Sequence, residues 1–158
     1  MIRGRTGTVT TRVRFGETDA AGIVFYPTFY AWFDMGATAL VRGASPDGVH
    51  DADGRPRWPI PIVEAGASFL APLYFDDAIA IETTVADVGA RSFRLEHVVL
   101  RGDEEVARGY EVRVHVKREG GRYVSAALPD ELRTYFTTST PSSNTPSSEE
   151  VDDRAVTP

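Results

Sequence analysis

The chain has no cysteine. Disulfides, thiolate nucleophiles and cysteine-held zinc are therefore excluded, and a cytoplasmic setting is expected. No apolar run approaches the roughly 18 residues that a membrane-spanning helix needs, so no membrane partner is expected. The stretch MIRGRTGTVTTRVRF carries basic residues without an apolar segment and does not read as a secretory signal. Positive charge is also scarce. Lys and Arg number 17 against 23 Asp and Glu, a formal net charge of -6, which argues against nucleic acid as a partner. A small polyanion met by a local basic cluster stays open. There is no G-x-S-x-G turn to present a serine and no glycine-rich phosphate loop. His50, His97 and His115 lack metal-ligand spacing, and no metal is expected.

What remains is enough for one domain. The 158 residues are 42% hydrophobic, so a core can form without staples. The composition changes after Phe136, where TTSTPSSNTPSSEEVDDRAVTP has almost nothing to bury. Residues 1–136 are expected to be the folded domain, and residues 137–158 a disordered, acidic tail rich in Ser, Thr and Pro.

A first strand is expected from Val9 to Phe15, then a polar turn, GETDAAG. Phe29, Trp32, Phe33, Gly36, Ala37 and Leu40 recur at three- and four-residue steps and predict a helix from Pro27 to Arg42. Residues 43–59 read as a long loop. Strands follow over Ile60–Leu70, Ala78–Val88 and Ser92–Leu100. A long alternating run covers Val106 to Lys117, and Gly120-Gly121 turns the chain into Arg122–Ala126. PDELRTYF reads as a short closing helix. The order predicts an α+β fold, an antiparallel sheet of five to six strands wrapped around one long central helix.

Two carboxylates, Glu17 and Asp19, stand between the first strand and the helix. A carboxylate beside free helix-start N–H groups suits acyl transfer. It can attack a carbonyl or activate water while the amides hold the developing charge. A second reading has Asp19 capping the helix or closing an Asx turn.

The segment VRFGETDAAGIVFYPTFYAWFD resembles the signature of the 4-hydroxybenzoyl-CoA thioesterase family, and PIPIVEAGASFLAPLYFDDAIAIET and ARSF resemble it more loosely. The resemblance implies a hotdog fold, dimers assembling into homotetramers, and no metal or cofactor. It also implies hydrolysis of an acyl-CoA thioester to free acid and CoA, with an aromatic, benzoyl-type acyl group. Asp19 falls at the family's catalytic Asp. Tyr26 falls where a helix-start N–H faces the thioester oxygen, and Gly22 lies between them. Arg91 and Ser92 fall in the segment that meets the nucleotide end of CoA. Here a single Arg stands where some members have two or three basic residues, and Arg101, Lys117 or Arg118 are alternative donors. Asp34 falls at a helix acid that meets a ring hydroxyl in those members. Ile60 replaces a hydroxyl residue, and Phe25, Tyr26 and Trp58 are candidates to wall the acyl group. The rival readings are a short-chain aliphatic or carrier-protein thioesterase, and a hotdog protein that binds acyl thioesters without cleaving them.

Overall fold

Strand alternation and one amphipathic helix decide the architecture. The computed structural model describes residues 4–139. In chain order the elements are β1 (Thr6–Arg12), a 3-10 turn (Phe15–Glu17), α1 (Pro27–Arg42), β2 (Ile62–Phe69) and β3 (Ala78–Val88). Then come β4 (Ser92–Arg101), β5 (Glu104–Val114), β6 (Val116–Glu119), β7 (Arg122–Ser125) and α2 (Asp130–Thr137). Five strands form one sheet in the order β1-β3-β4-β5-β2, every neighbouring pair antiparallel. β6 and β7 form a separate hairpin. The expected wrapped-sheet α+β fold is the one observed.

Period-two alternation aims Ile79, Ile81, Thr83 and Val85 of β3 at α1, with Phe93, Leu95, His97 and Val99 of β4 beside them. The helix answers with Phe29, Trp32, Phe33, Gly36, Ala37, Leu40 and Val41, all buried. Two apolar clusters result. One gathers Val24, Phe29, Trp32, Phe33, Leu73 and Ile81 near the start of α1. The other gathers Leu40, Trp58, Phe93, Leu128, Leu132 and Phe136 near its end, where α2 closes the domain. Between them runs a polar row. Thr83 pairs across the sheet with His97, and His97 with Gly109. Phe33 fills the space over Gly109 and stacks on the His97 ring at 4.8 Å.

Several boundaries shift by one to three residues, and three of them have a clear physical cause. The first strand ends at Arg12, because the Glu17 carboxylate takes the Arg14 N–H at 2.7 Å and bends the chain into the 3-10 turn. The long strand expected to run to Lys117 breaks at His115. There both neighbours have run out, since Val114 pairs with the first residue of β4 and Arg113 with the first of β2. The closing helix extends through Thr137, whose hydroxyl donates to the Arg133 carbonyl. The remainder of the expected tail, 140–158, lies outside the described residues.

The packing at Gly109 gives a test. A Cβ there would come within 2.2 Å of the Phe33 ring, which is fully buried and cannot swing away. Gly109→Ala should lower stability by about 1–3 kcal/mol, read as a lower urea midpoint at unchanged slope.

Candidate active site

Between the 3-10 turn and α1 the chain makes a small hairpin over residues 17–25. Asp19 N–H donates to the Ile23 carbonyl at 2.9 Å, and Phe25 N–H donates to the Glu17 carbonyl at 2.9 Å. Gly22 N–H returns to the Asp19 carbonyl, also at 2.9 Å. Gly22 has φ of 79°, the left-handed value that closes a three-residue hairpin loop. Ile23 also bridges to Tyr74, and Val24 N–H bonds the Leu73 carbonyl, so the hairpin is laced to the chain leading into β3.

The two carboxylates of this loop are used differently. Glu17 is structural. It accepts the Arg14 backbone N–H at 2.7 Å and the Arg14 guanidinium at 2.8 Å. Partial burial pushes its carboxyl up, but the Arg14 hydrogen bonds, the Arg14 charge and the Trp32 side chain outweigh it and hold Glu17 below the ordinary carboxylate value. Asp19 is exposed. Its Oδ1 accepts the Ala21 N–H at 2.8 Å, an Asx turn, and its Oδ2 takes no hydrogen bond among the described residues. Asp19 does not cap α1, which has no side-chain cap. The turn orients one oxygen and leaves the other available.

The hairpin feeds straight into the helix. Tyr26 is the N-cap and Pro27 opens the first turn. Pro27 has no N–H, and Thr28 N–H is taken by the Phe25 carbonyl at 2.9 Å. Tyr26 N–H has no acceptor among the described residues, so it is the free donor at the positive end of the helix. Beside it lies an apolar pocket of about 370 Å³, with Ile23, Tyr26, Phe29, Phe69 and Leu73 in its wall. Phe25 stands half-exposed outside it, edge-on to Tyr26 at 5.5 Å.

The other expected site residues are scattered within the subunit. Trp58 is 8% exposed and, with Ile60 against it, belongs to the apolar cluster under α2 rather than to the hairpin. Arg91 and Ser92 lie at the turn between β3 and β4, where Arg91 Nη1 donates to Ser125 Oγ at 3.0 Å. Ser125 pairs with Val116, so Lys117 and Arg118 of β6 stand in the same corner. Arg101 does not join them. It ends the strand that Ser92 begins, roughly 30 Å away, and is bound to Asp77 and Glu104. Asp34 is paired with Arg113 at 2.7 Å. Arg113 and its neighbour Glu111 escaped the sequence reading, since plain alternation gives charged strand residues no reason to face a core. Phe69 escaped too, since an aromatic at the end of a strand gives no sign of its partners; its ring lies 5.0 Å from that of Phe29 and 6.3 Å from that of Tyr26.

The Glu17 clamp makes stability pH-dependent. A carboxyl held low in the folded state stabilises above its unfolded value, and that contribution is lost as pH falls through the folded one. Glu17→Gln should therefore cost stability near neutral pH, and the gap to wild type in thermal melts should close below about pH 4.

Comparison with known proteins places this fold. The family model of the thioesterase-like superfamily matches residues 13–136. The 4-hydroxybenzoyl-CoA thioesterase of Pseudomonas sp. (strain CBS-3) is 31% identical over 131 residues, covering 79% of this chain and 93% of that protein. A 1,4-dihydroxy-2-naphthoyl-CoA hydrolase of Synechococcus sp. (strain WH7803) is 30% identical over 142 residues, covering 81% and 86%. Among solved structures, an aspartate-to-asparagine mutant of 4-hydroxybenzoyl-CoA thioesterase complexed with 4-hydroxybenzoyl-CoA superposes with a TM-score of 0.75 at 27% identity, over 84% of this chain and 99% of that one. A gentisyl-coenzyme A thioesterase gives 0.72 at 33% identity, over 84% and 100%. With the hairpin, the helix start and four of the sheet's five strands inside the matched span, the chain belongs to the thioesterase-like superfamily.

Proposed function

We propose that the protein hydrolyses an aromatic acyl-CoA thioester to the free acid and CoA. One observation carries this reading. The Asp19 carboxylate has one oxygen fixed by the Ala21 amide and one free, in the hairpin that ends at the unpartnered Tyr26 N–H. The free oxygen attacks the thioester carbonyl or deprotonates a water that does so. The Tyr26 amide receives the charge that develops on the carbonyl oxygen. Collapse expels CoA as its thiolate, and the water that supplies the acid's new oxygen gives up the proton that the thiolate takes. Gly22 holds the hairpin that joins these two groups. These steps need neither metal nor organic cofactor.

The apolar pocket beside Tyr26 suits an aryl group, and the relatives named above act on hydroxybenzoyl-, gentisyl- and dihydroxynaphthoyl-CoA. Phe25 flanks the entrance, and Asp34 accepts a hydroxyl of the acyl group. Arg91, with Ser92, Lys117 and Arg118 nearby, meets the CoA phosphates. The enzyme is proposed to act in the cytoplasm, in keeping with a chain that has no cysteine.

A second copy completes the molecule. β2 is an edge strand whose Ile62, Val63 and Phe69 are exposed, as is Leu70 just after it, and Phe25 and Tyr26 add to the same apolar surface. Edges of this kind invite pairing, so two copies are proposed to join along β2 and dimers to form a homotetramer. Trp58 and Ile60, distant from the hairpin within one subunit, are then contributed near it by the partner.

Asp19→Asn keeps the Asx turn, because the amide oxygen still accepts the Ala21 N–H. It should fold normally yet lose about a thousandfold in kcat across benzoyl-, hydroxybenzoyl- and phenylacetyl-CoA. Thiol release near the wild-type rate would refute the assignment, and a panel that includes short aliphatic and carrier-protein esters tests the acyl class. Tyr26→Phe keeps the backbone donor and should hold kcat within about threefold. Val63→Lys should shift sedimentation toward the monomer and lower activity with it.

A further inference from the structure

Charged side chains seldom lie under a helix unless they are partnered. Glu111 and Arg113 sit two apart on β5, so both face α1, and both are buried. Arg113 Nε donates to Glu111 Oε2 at 3.0 Å, and Nη2 lies 3.0 Å from the same oxygen. Nη2 also donates to Asp34 Oδ1 at 2.7 Å. Behind Glu111, His97 Nε2 stands 3.6 Å from Oε2, and His97 Nδ1 lies 2.9 Å from Thr83 Oγ1. A nitrogen facing a carboxylate at that range is best placed with its proton on it. The Thr83 hydroxyl then donates to Nδ1, and Nε2–H faces Glu111.

The line from Thr83 to Asp34 has one buried end and one open end. Thr83, His97 and Glu111 are within 1% of complete burial, while the Asp34 side chain is 59% exposed. The Arg113 guanidinium cannot turn away without leaving a buried carboxylate unpaired, a costly state. It therefore fixes Asp34 Oδ1 from below. Asp34 Oδ2 takes no hydrogen bond among the described residues. A lone aspartate on an open helix face would move among rotamers, and this one is held.

Asp34 follows Tyr26 by eight residues, through Tyr30, along a four-residue track on α1. That is roughly 12 Å of helix rise, shortened because helical side chains lean toward the N-terminus. One aryl ring with a hydrogen bond at each end spans a gap of this order. We propose that Arg113 is a positioning residue for acyl selection, holding the free oxygen of Asp34 where it accepts a hydrogen bond from a hydroxyl at the far end of an aromatic acyl group. This rests on the aryl-CoA reading given above. Arg113 touches neither the thioester nor the ring, and it acts through Asp34.

The test compares kcat and KM for benzoyl-CoA and 4-hydroxybenzoyl-CoA. Wild type should favour the hydroxylated ester by about tenfold or more in kcat/KM. Asp34→Ala should remove the preference. The double variant Glu111→Gln with Arg113→Met leaves no buried charge unpaired. It should also bring the preference to within about twofold, through a higher KM for the hydroxylated ester, with its benzoyl-CoA constants little changed. Adding Asp34→Ala to that pair should cost nothing further, because the two act as one unit. Arg113→Lys keeps the charge but loses the planar fork, so it should retain only part of the preference, about threefold. This variant decides the matter if the double variant does not fold.

A folded double variant, or Arg113→Lys, that keeps the full preference while Asp34→Ala loses it overturns the role of Arg113 alone. Equal losses on both esters overturn it in favour of a structural role. Wild type that hydrolyses both esters without preference overturns the selection while leaving thioester hydrolysis standing. Hydrolysis of neither ester overturns both readings.

Discussion

The structure depends on laying α1 across a sheet whose middle rung is not apolar. Thr83, His97 and Gly109 pair in register across β3, β4 and β5, and the helix must cross them closely. It does so by omission. A Cβ on Gly36 would come within 2.3 Å of the Thr83 hydroxyl, and the space over Gly109 is taken by the Phe33 ring. Burying a histidine and a glutamate there is tolerable only because each has a facing partner, and the partners lead outward to Arg113 and the helix itself. The row thus costs some apolar burial and in return fixes the register of helix on sheet.

Everything at the candidate site inherits that placement. The hairpin of residues 17–25 is held by Val24 buried in the apolar cluster near the start of α1, by backbone bonds to the chain before β3 and by the Arg14–Glu17 clamp. Its far end is the first turn of α1. Where the helix lies therefore sets where the Tyr26 amide points, and the short hairpin brings Asp19 along. The role proposed for Asp19 draws on such anchoring, since small displacements at reacting atoms are expensive in rate.

Much of this was legible in the residues. The step of three and four from Phe29 to Leu40 marked α1 to the residue, and the alternation of Ala78–Val88 marked β3. Asp19, Gly22 and Tyr26 were found as a strand–turn–helix junction with a recognisable pattern. The turn-forming reading of Asp19 is the one observed, and it leaves the second oxygen available because the turn uses one oxygen only. What escaped was long-range. Asp34 looked like a helix-surface acid with Tyr30 and Thr38 as neighbours, whereas its partner lies 79 residues away. Glu111 and Arg113 occupied core-facing positions of an alternating strand, but their charge hid them. Trp58 carries no sign in sequence of which cluster it joins, since a loop residue has no period.

The polar row also divides the domain. Above it lie Phe29, Trp32 and Leu73 near the hairpin, and below it lie Trp58, Leu128, Leu132 and Phe136 under α2. Residues packed in one cluster share few neighbours with those in the other, and effects of distant changes tend to add rather than couple. The part of the lower cluster under α2, Leu128, Leu132 and Phe136, is therefore free to drift in sequence, trading one hydrophobe for another as the organism's working temperature demands, while the half that holds the candidate site keeps its shape. A catalytic domain partitioned in this way can be retuned for heat without being retuned for substrate.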